Sequence, residues 1–222
     1  MDRFTGWPKP ALTFLKGLDK DNSKAYFEAH RAIYETACKA PMLALIAELE
    51  QQLGSEWEGK MFRINRDLRF SKDKRPYKET VSAVFTSSKH ATGHYLQLSH
   101  DALYIGTGGH EMPPDQLARY RDAVAGKPGE KLAQIFAALH KKGYDSSEPI
   151  LKRVPSAYPP DHPRAELLRA GSAWVNRTFK PAPWFHTSEA LSRIRGAWRD
   201  AGSLGDWLDT YVKPSSEPRR HR

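Results

Sequence analysis

One cysteine in 222 residues removes whole classes of chemistry at the outset. Disulfide frameworks need pairs and cysteine metal clusters need several thiolates, so neither can form within one chain. Cys38, set among Ala37, Lys39 and Ala40 in a stretch of helical character, reads as a small packing residue. Long apolar runs are lacking too. None approaches the roughly 20 residues that cross a bilayer. The opening Met1-Asp2-Arg3-Phe4-Thr5-Gly6-Trp7-Pro8 also lacks the basic-then-apolar layout of a secretion signal, so a cytoplasmic protein without a membrane partner is expected. Ligand spacings such as His-Glu-x-x-His are missing, as is a nucleophile elbow around any serine, and no metal or cofactor is expected. Gly106-Thr107-Gly108-Gly109 has neither the lysine nor the spacing of a phosphate loop; its glycines are expected to let the backbone turn sharply.

What is present is charge, and it is concentrated. Between Lys60 and Lys78, eight cations (Lys60, Arg63, Arg66, Arg69, Lys72, Lys74, Arg75 and Lys78) stand against Asp67 and Asp73, so this stretch holds six of the nine net positive charges. Arg219, Arg220 and Arg222 against Glu217 supply most of the rest. A general basic coat would point to non-specific adhesion, whereas this concentration points to a discrete anion-binding surface.

Periodicity predicts an α+β fold: a single domain over residues 1–213, with 214–222 a disordered basic tail. A mostly antiparallel sheet of about four to five strands is expected, packed by helices from both ends of the chain. Prolines 8 and 10 open a first helix, and Asp21-Asn22-Ser23 caps a second whose stripe is Tyr26, Phe27, His30, Ile33, Tyr34 and Ala37. Pro41 must kink or restart that helix, and Gly54 ends it. From Phe62 to Phe70 the period becomes two, which predicts a strand with Phe62, Ile64, Leu68 and Phe70 inward and Arg63, Asn65, Asp67 and Arg69 outward. Further strands are expected over residues 80–86, 95–98, 103–105 and 172–179. Helices are expected from Pro113 to Gly126, over 130–142, over 164–169 and, with a break near Gly202 to Gly205, over 188–212.

The residues also resemble a known family. Phe4-Thr5-Gly6-Trp7, Asn22-Ser23-Lys24 with Tyr26-Phe27, and above all the run Phe62-Arg63-Ile64-Asn65-Arg66-Asp67-Leu68-Arg69-Phe70-Ser71-Lys72-Asp73-Lys74-Arg75-Pro76-Tyr77-Lys78 are similar to its signature. Leu151-Lys152-Arg153-Val154-Pro155 and Asp161-His162-Pro163 complete the likeness, which spans roughly Phe4 to Asp200. The family is domain of unknown function 2461. The resemblance implies a single-domain bacterial-type cytoplasmic protein and carries no activity with it.

The outward strand row sets successive side chains about 7 Å apart, near enough for Arg63, Asn65 and Arg69 to meet on one anion. Lys72, Lys74 and Lys78 would close over it, with Tyr77 as a stacking residue. Three readings stand side by side. The segment binds a phosphate-bearing or other anionic small molecule, with His94 or His110 as an acid or base. Alternatively, it is a non-enzymatic module for nucleic acid or an acidic protein. The third reading makes it an architectural ion-pair network. Arg66, on the packing side, needs a buried acid, for which Glu28, Glu35 and Asp101 are the candidates.

Overall fold

The computed structural model describes residues 3–69 and 72–217, which fall into two compact units interleaved along the chain. The first comprises Met1–Phe85, Tyr95–Ile105 and Thr178–Gly196; the second comprises Thr86–His94, Gly106–Arg177 and Ala197–Arg222. Six antiparallel strands form one sheet, β1 (Trp57–Met61), β2 (Val81–Ser87), β3 (Gly93–Leu98), β4 (Leu103–Gly109), β5 (Asp145–Ser146) and β6 (Ala173–Phe179), in the order β1-β2-β3-β4-β6-β5. This is one more strand than the expected four to five. Two-residue β5, paired antiparallel to β6 through Asp145 with Asn176 and Ser146 with Val175, is too short to leave a period in the sequence.

In the first unit, α1 (Lys9–Lys20) starts with Pro10 in its first turn and buries Ala11, Phe14, Leu15 and Leu18. Helix α2 (Lys24–Ala29) follows Ser23, whose hydroxyl accepts the Tyr26 N–H at 3.1 Å. The chain then runs through α3 (Arg31–Ile33), a π-helical turn (Tyr34–Lys39) and α4 (Ala40–Leu53). Pro41 restarts the helical run: it stands in the first turn of α4, which follows a wide π turn that ends with the Ala40 N–H bonded back to the Glu35 carbonyl. This register change just before a residue with no N–H absorbs the bond that proline cannot make. Gly54, at φ +109°, ends α4. A Cβ on Gly59 would lie 2.7 Å from Ile46 and 2.8 Å from the Phe85 ring, so α4 packs closely on β1.

The alternation from Phe62 to Phe70 does not make a strand. The strand is β1, five residues earlier, and after Phe62 donates to the Ser82 carbonyl (2.9 Å) the chain leaves the sheet as a loop. The loop is closed at its neck by an antiparallel bridge between Asn65 and Tyr77, with Arg66 N–H to Pro76 O at 2.9 Å and Lys78 N–H to Ile64 O at 2.8 Å. Of the three expected inward residues that are described, only Ile64 is buried; Phe62 and Leu68 are 39% and 36% exposed, and Phe70 lies outside the described residues. The period was real, but it belongs to an extended loop arm that carries charge on both sides.

The second unit holds α5 (Pro114–Ala125), α6 (Pro128–Lys141), α7 (Ala165–Arg169) and α9 (Gly202–Tyr211). Helix α8 (Glu189–Asp200) buries Ala190, Leu191, Ile194, Ala197 and Trp198. The carbonyls at the end of α5 are collected by Arg164, which donates to Val124 O at 2.6 Å, Ala125 O at 2.9 Å and Gly126 O at 3.0 Å. His162 adds a contact to Ala125 O at 3.3 Å. The glycines after Ile105 do not turn the chain; they continue β4. A Cβ on Gly106 would meet the Trp174 ring at 2.2 Å, so a large indole fills the space that its missing side chain leaves. Of the expected tail, Ser215 and Ser216 hydrogen-bond Asp115, while 218–222 lie outside the described residues.

Candidate functional site: the signature loop

The loop closed by the Asn65–Tyr77 bridge is built around one carboxylate. Glu79, only 16% exposed, pairs with the Arg66 guanidinium through one oxygen. Its other oxygen receives Arg75 at 2.9 Å and the Asn22 amide at 2.9 Å. Arg66 also donates to the Tyr77 carbonyl at 2.7 Å and lies 3.2 Å from Asp73, which in turn holds Arg75 at 2.8 Å. Asn22 accepts the Tyr77 N–H at 2.9 Å and donates to the Leu18 carbonyl at 3.1 Å, so the network reaches α1. Every polar group that this half-buried corner encloses thus has a partner, as burial demands.

Arg66 does need an acid, but the acids are Glu79 and Asp73. The three expected partners are engaged elsewhere: Glu28 with Arg31 at 2.6 Å, Glu35 with Lys39 at 2.7 Å and Asp101 with the Ser99 hydroxyl at 2.6 Å. Tyr77, expected to stack on a ligand, is buried and stacks on Phe27 at 4.3 Å between ring centroids. Its apolar body serves the core while its backbone serves the bridge.

The remaining expected ligand residues separate into two groups. Arg69 is 75% exposed and forks onto its neighbour Asp67 with bonds of 3.0 and 2.7 Å, which hold the Asp67 carboxyl well below the usual carboxylate range. Lys74 donates to the Leu68 carbonyl at 3.1 Å, and Lys72 is exposed on the same arm. These belong to the far end of the loop.

Arg63 and Lys78 instead flank the neck, one residue outside the Ile64 and Tyr77 positions. Asn65, exposed, sits in the neck itself. The Lys78 ammonium stands 5.2 Å above the Phe62 ring centroid. Partial burial, with the guanidiniums of Arg63 and Arg66 nearby, depresses the Lys78 pKa. Among the described residues neither Arg63 nor Lys78 has a carboxylate within ion-pair distance, and the same holds for Lys60, Lys72 and Lys74. Counting Glu79, one position beyond the run, leaves eight cations against three acids, so pairing inside the segment neutralises Arg66, Arg69 and Arg75 but not Arg63 or the lysines.

Beside Phe62 lies the sheet face opposite α4, where Tyr95, Gln97 and Tyr104 are half-buried. Ring centroids are 6.3 Å apart for Phe62 and Tyr95 and 5.9 Å for Tyr95 and Tyr104. The Tyr95 hydroxyl donates to Gln97 Oε1 at 2.8 Å. Sequence reasoning missed these residues. The only available signal was the alternation of Tyr95 and Gln97 with Leu96 and Leu98, which marks a two-faced strand.

The histidines belong to the second unit. His94 is buried, stacks on Trp198 at 4.6 Å and lies 2.7 Å from the Thr107 hydroxyl, which itself donates to the Gly93 carbonyl. Burial, aided by the nearby His90, takes the His94 pKa down to about 3, so the ring is neutral and structurally engaged. His110 is exposed and meets the Trp174 ring edge-on at 5.1 Å. Among the described residues, no group of three or more His, Cys, Asp or Glu side chains is placed to hold a metal ion, and no helix is long and apolar enough to cross a membrane.

These features define an α+β protein with a single antiparallel sheet and a basic loop latched onto it by an internal ion-pair network. The chain belongs to the family described as conserved hypothetical protein (DUF2461), whose sequence model matches residues 10–207. No curated protein and no solved structure matches it.

Proposed function

We propose that the neck of the signature loop binds a phosphate-bearing small molecule of the cytoplasm, held between Arg63 and Lys78. The observation that carries this reading is the Lys78 ammonium, half-buried beside the Arg63 and Arg66 guanidiniums with no carboxylate of its own among the described residues. Like charges pressed together at a partly desolvated position cost stability, and a phosphate group would relieve that cost while matching the arginine fork. Glu79 and Asp73 occupy Arg66 and Arg75, so the phosphate is left to Arg63 and Lys78.

Thermal unfolding with inorganic pyrophosphate and ribose 5-phosphate tests this. A ligand at a hundredfold excess over its Kd adds about 2.7 kcal/mol, and a chain of this size gains about 2–4 °C in Tm per kcal/mol. A rise of roughly 5–10 °C is therefore expected, and Arg63→Gln and Lys78→Met should each abolish most of it. No rise with either ligand, or an equal rise in both variants, overturns the proposal.

A second reading rests on the Arg66–Glu79–Asn22 network. In it the signature is a latch that fixes the loop, and the flanking cations only face water. Loss of stability in Arg66→Met together with indifference to every phosphate would favour the latch alone.

A further inference from the structure

We infer that the ligand is a mononucleotide, its base lying over the row of rings formed by Phe62, Tyr95 and Tyr104. This rests on the phosphate reading above and adds to it the class of molecule that carries the phosphate. The row lies on the sheet face opposite α4: Phe85 and Leu96 point into the core, while Tyr95, Gln97 and Tyr104 stay half-open and Phe62 is 39% exposed. A contiguous group of partly open rings at a surface marks a place where a partner binds. A nucleobase offers a flat π face of the right size, and stacking tolerates tilted neighbours such as these.

Charge selects the occupant. A cation stands at the Phe62 end of the row, where Lys78 lies 5.2 Å from the ring. One phosphate end and one aromatic end describe a mononucleotide; a single strand would need cations tracking the whole row. Gln97 adds a means of reading the base. Its Oε1 accepts from Tyr95, and its amide nitrogen has no hydrogen-bond partner among the described residues, which leaves a donor on this face.

Titration of the full chain with AMP, ribose 5-phosphate and a 12-nucleotide single strand, followed calorimetrically, tests the inference. AMP is expected to bind about tenfold or more tighter than ribose 5-phosphate, the gain of one stacked base. Tyr95→Leu, one ring further along the row than the Lys78 ammonium, should bring AMP down to the affinity of ribose 5-phosphate and leave ribose 5-phosphate unchanged. Lys78→Met and Arg63→Gln should weaken both. Equal affinities for AMP and ribose 5-phosphate in the wild type overturn the base platform while preserving the phosphate site. Absence of binding by either removes the phosphate site as well. Binding of the single strand more than tenfold tighter than AMP overturns the mononucleotide in favour of a nucleic-acid surface.

Discussion

Replacing Glu79 by Gln keeps the shape of the side chain and one acceptor oxygen but removes the charge that two guanidiniums share. Its size can be bracketed. Breaking a fully buried pair by neutralising one partner costs about 3–5 kcal/mol, whereas an exposed pair is worth about 0–1 kcal/mol. Glu79 is 16% exposed and Arg66 23%, between these limits but nearer the buried one. The Arg75 side chain, at 48%, adds little because solvent screens it. Asn22 still finds an amide oxygen. The loss is therefore about 2 kcal/mol, which for a chain of this length lowers Tm by about 4–8 °C. Thermal unfolding of the wild type, Glu79→Gln, Arg66→Met and the double variant forms a cycle. A coupling of about 1–2 kcal/mol between the two sites is expected, most of it surviving in high salt because the pair is only partly open to counterions. A loss below about 0.5 kcal/mol, or strict additivity of the two changes, would refute the view that Glu79 organises the signature.

Two further outcomes test the second unit. Because His94 refuses a proton in the folded state until about pH 3 whereas the unfolded chain takes one near 6.5, stability contributed by the neutral ring should fall as pH drops from about 6.5 toward 3. His94→Gln should flatten that slope, measured as Tm against pH; an unchanged slope would show that the ring titrates freely. Gly106→Ala places a Cβ 2.2 Å from the Trp174 ring and should cost about 1–3 kcal/mol in urea unfolding, since the indole must shift to admit it; a neutral result would mean that the ring has room.

The sequence was most legible where a chemical signal marked both ends of an element. Pro113-Pro114 and Gly126 bracket α5, and the expected helix there differs from the observed one by a residue at each end. Alternation marked β3 for the same reason, one face buried and one half-open. It failed at the signature because alternation reports only that two sides differ. Loop arms stitched by ion pairs on one side and anchored by Ile64 on the other give the same pattern as a strand. The true edge strand, Trp57-Glu58-Gly59-Lys60-Met61, has a central glycine and no β-branched residue, so its propensity is poor and packing against α4 decides it. The acid for Arg66 was hidden by proximity: Glu79 lies thirteen positions on, in the strand approach that the loop's own closure brings back. For the cation site, composition located the segment, but only the fold separates Arg63 and Lys78 at the neck from Arg69, Lys72 and Lys74 beyond it.

A loop pinched at its base insulates its stem from its tip. Because the Asn65–Tyr77 bridge and the Glu79 latch close the loop before its arm begins, positions between Asp67 and Asp73 can be substituted, lengthened or shortened at little entropic expense without disturbing the stem, in which Asp73 still holds Arg66 and Arg75. The arm is thus free to vary from one relative to another, or to acquire contacts of its own, while the spacing of Arg63 and Lys78 stays fixed by backbone bonds that the arm does not make.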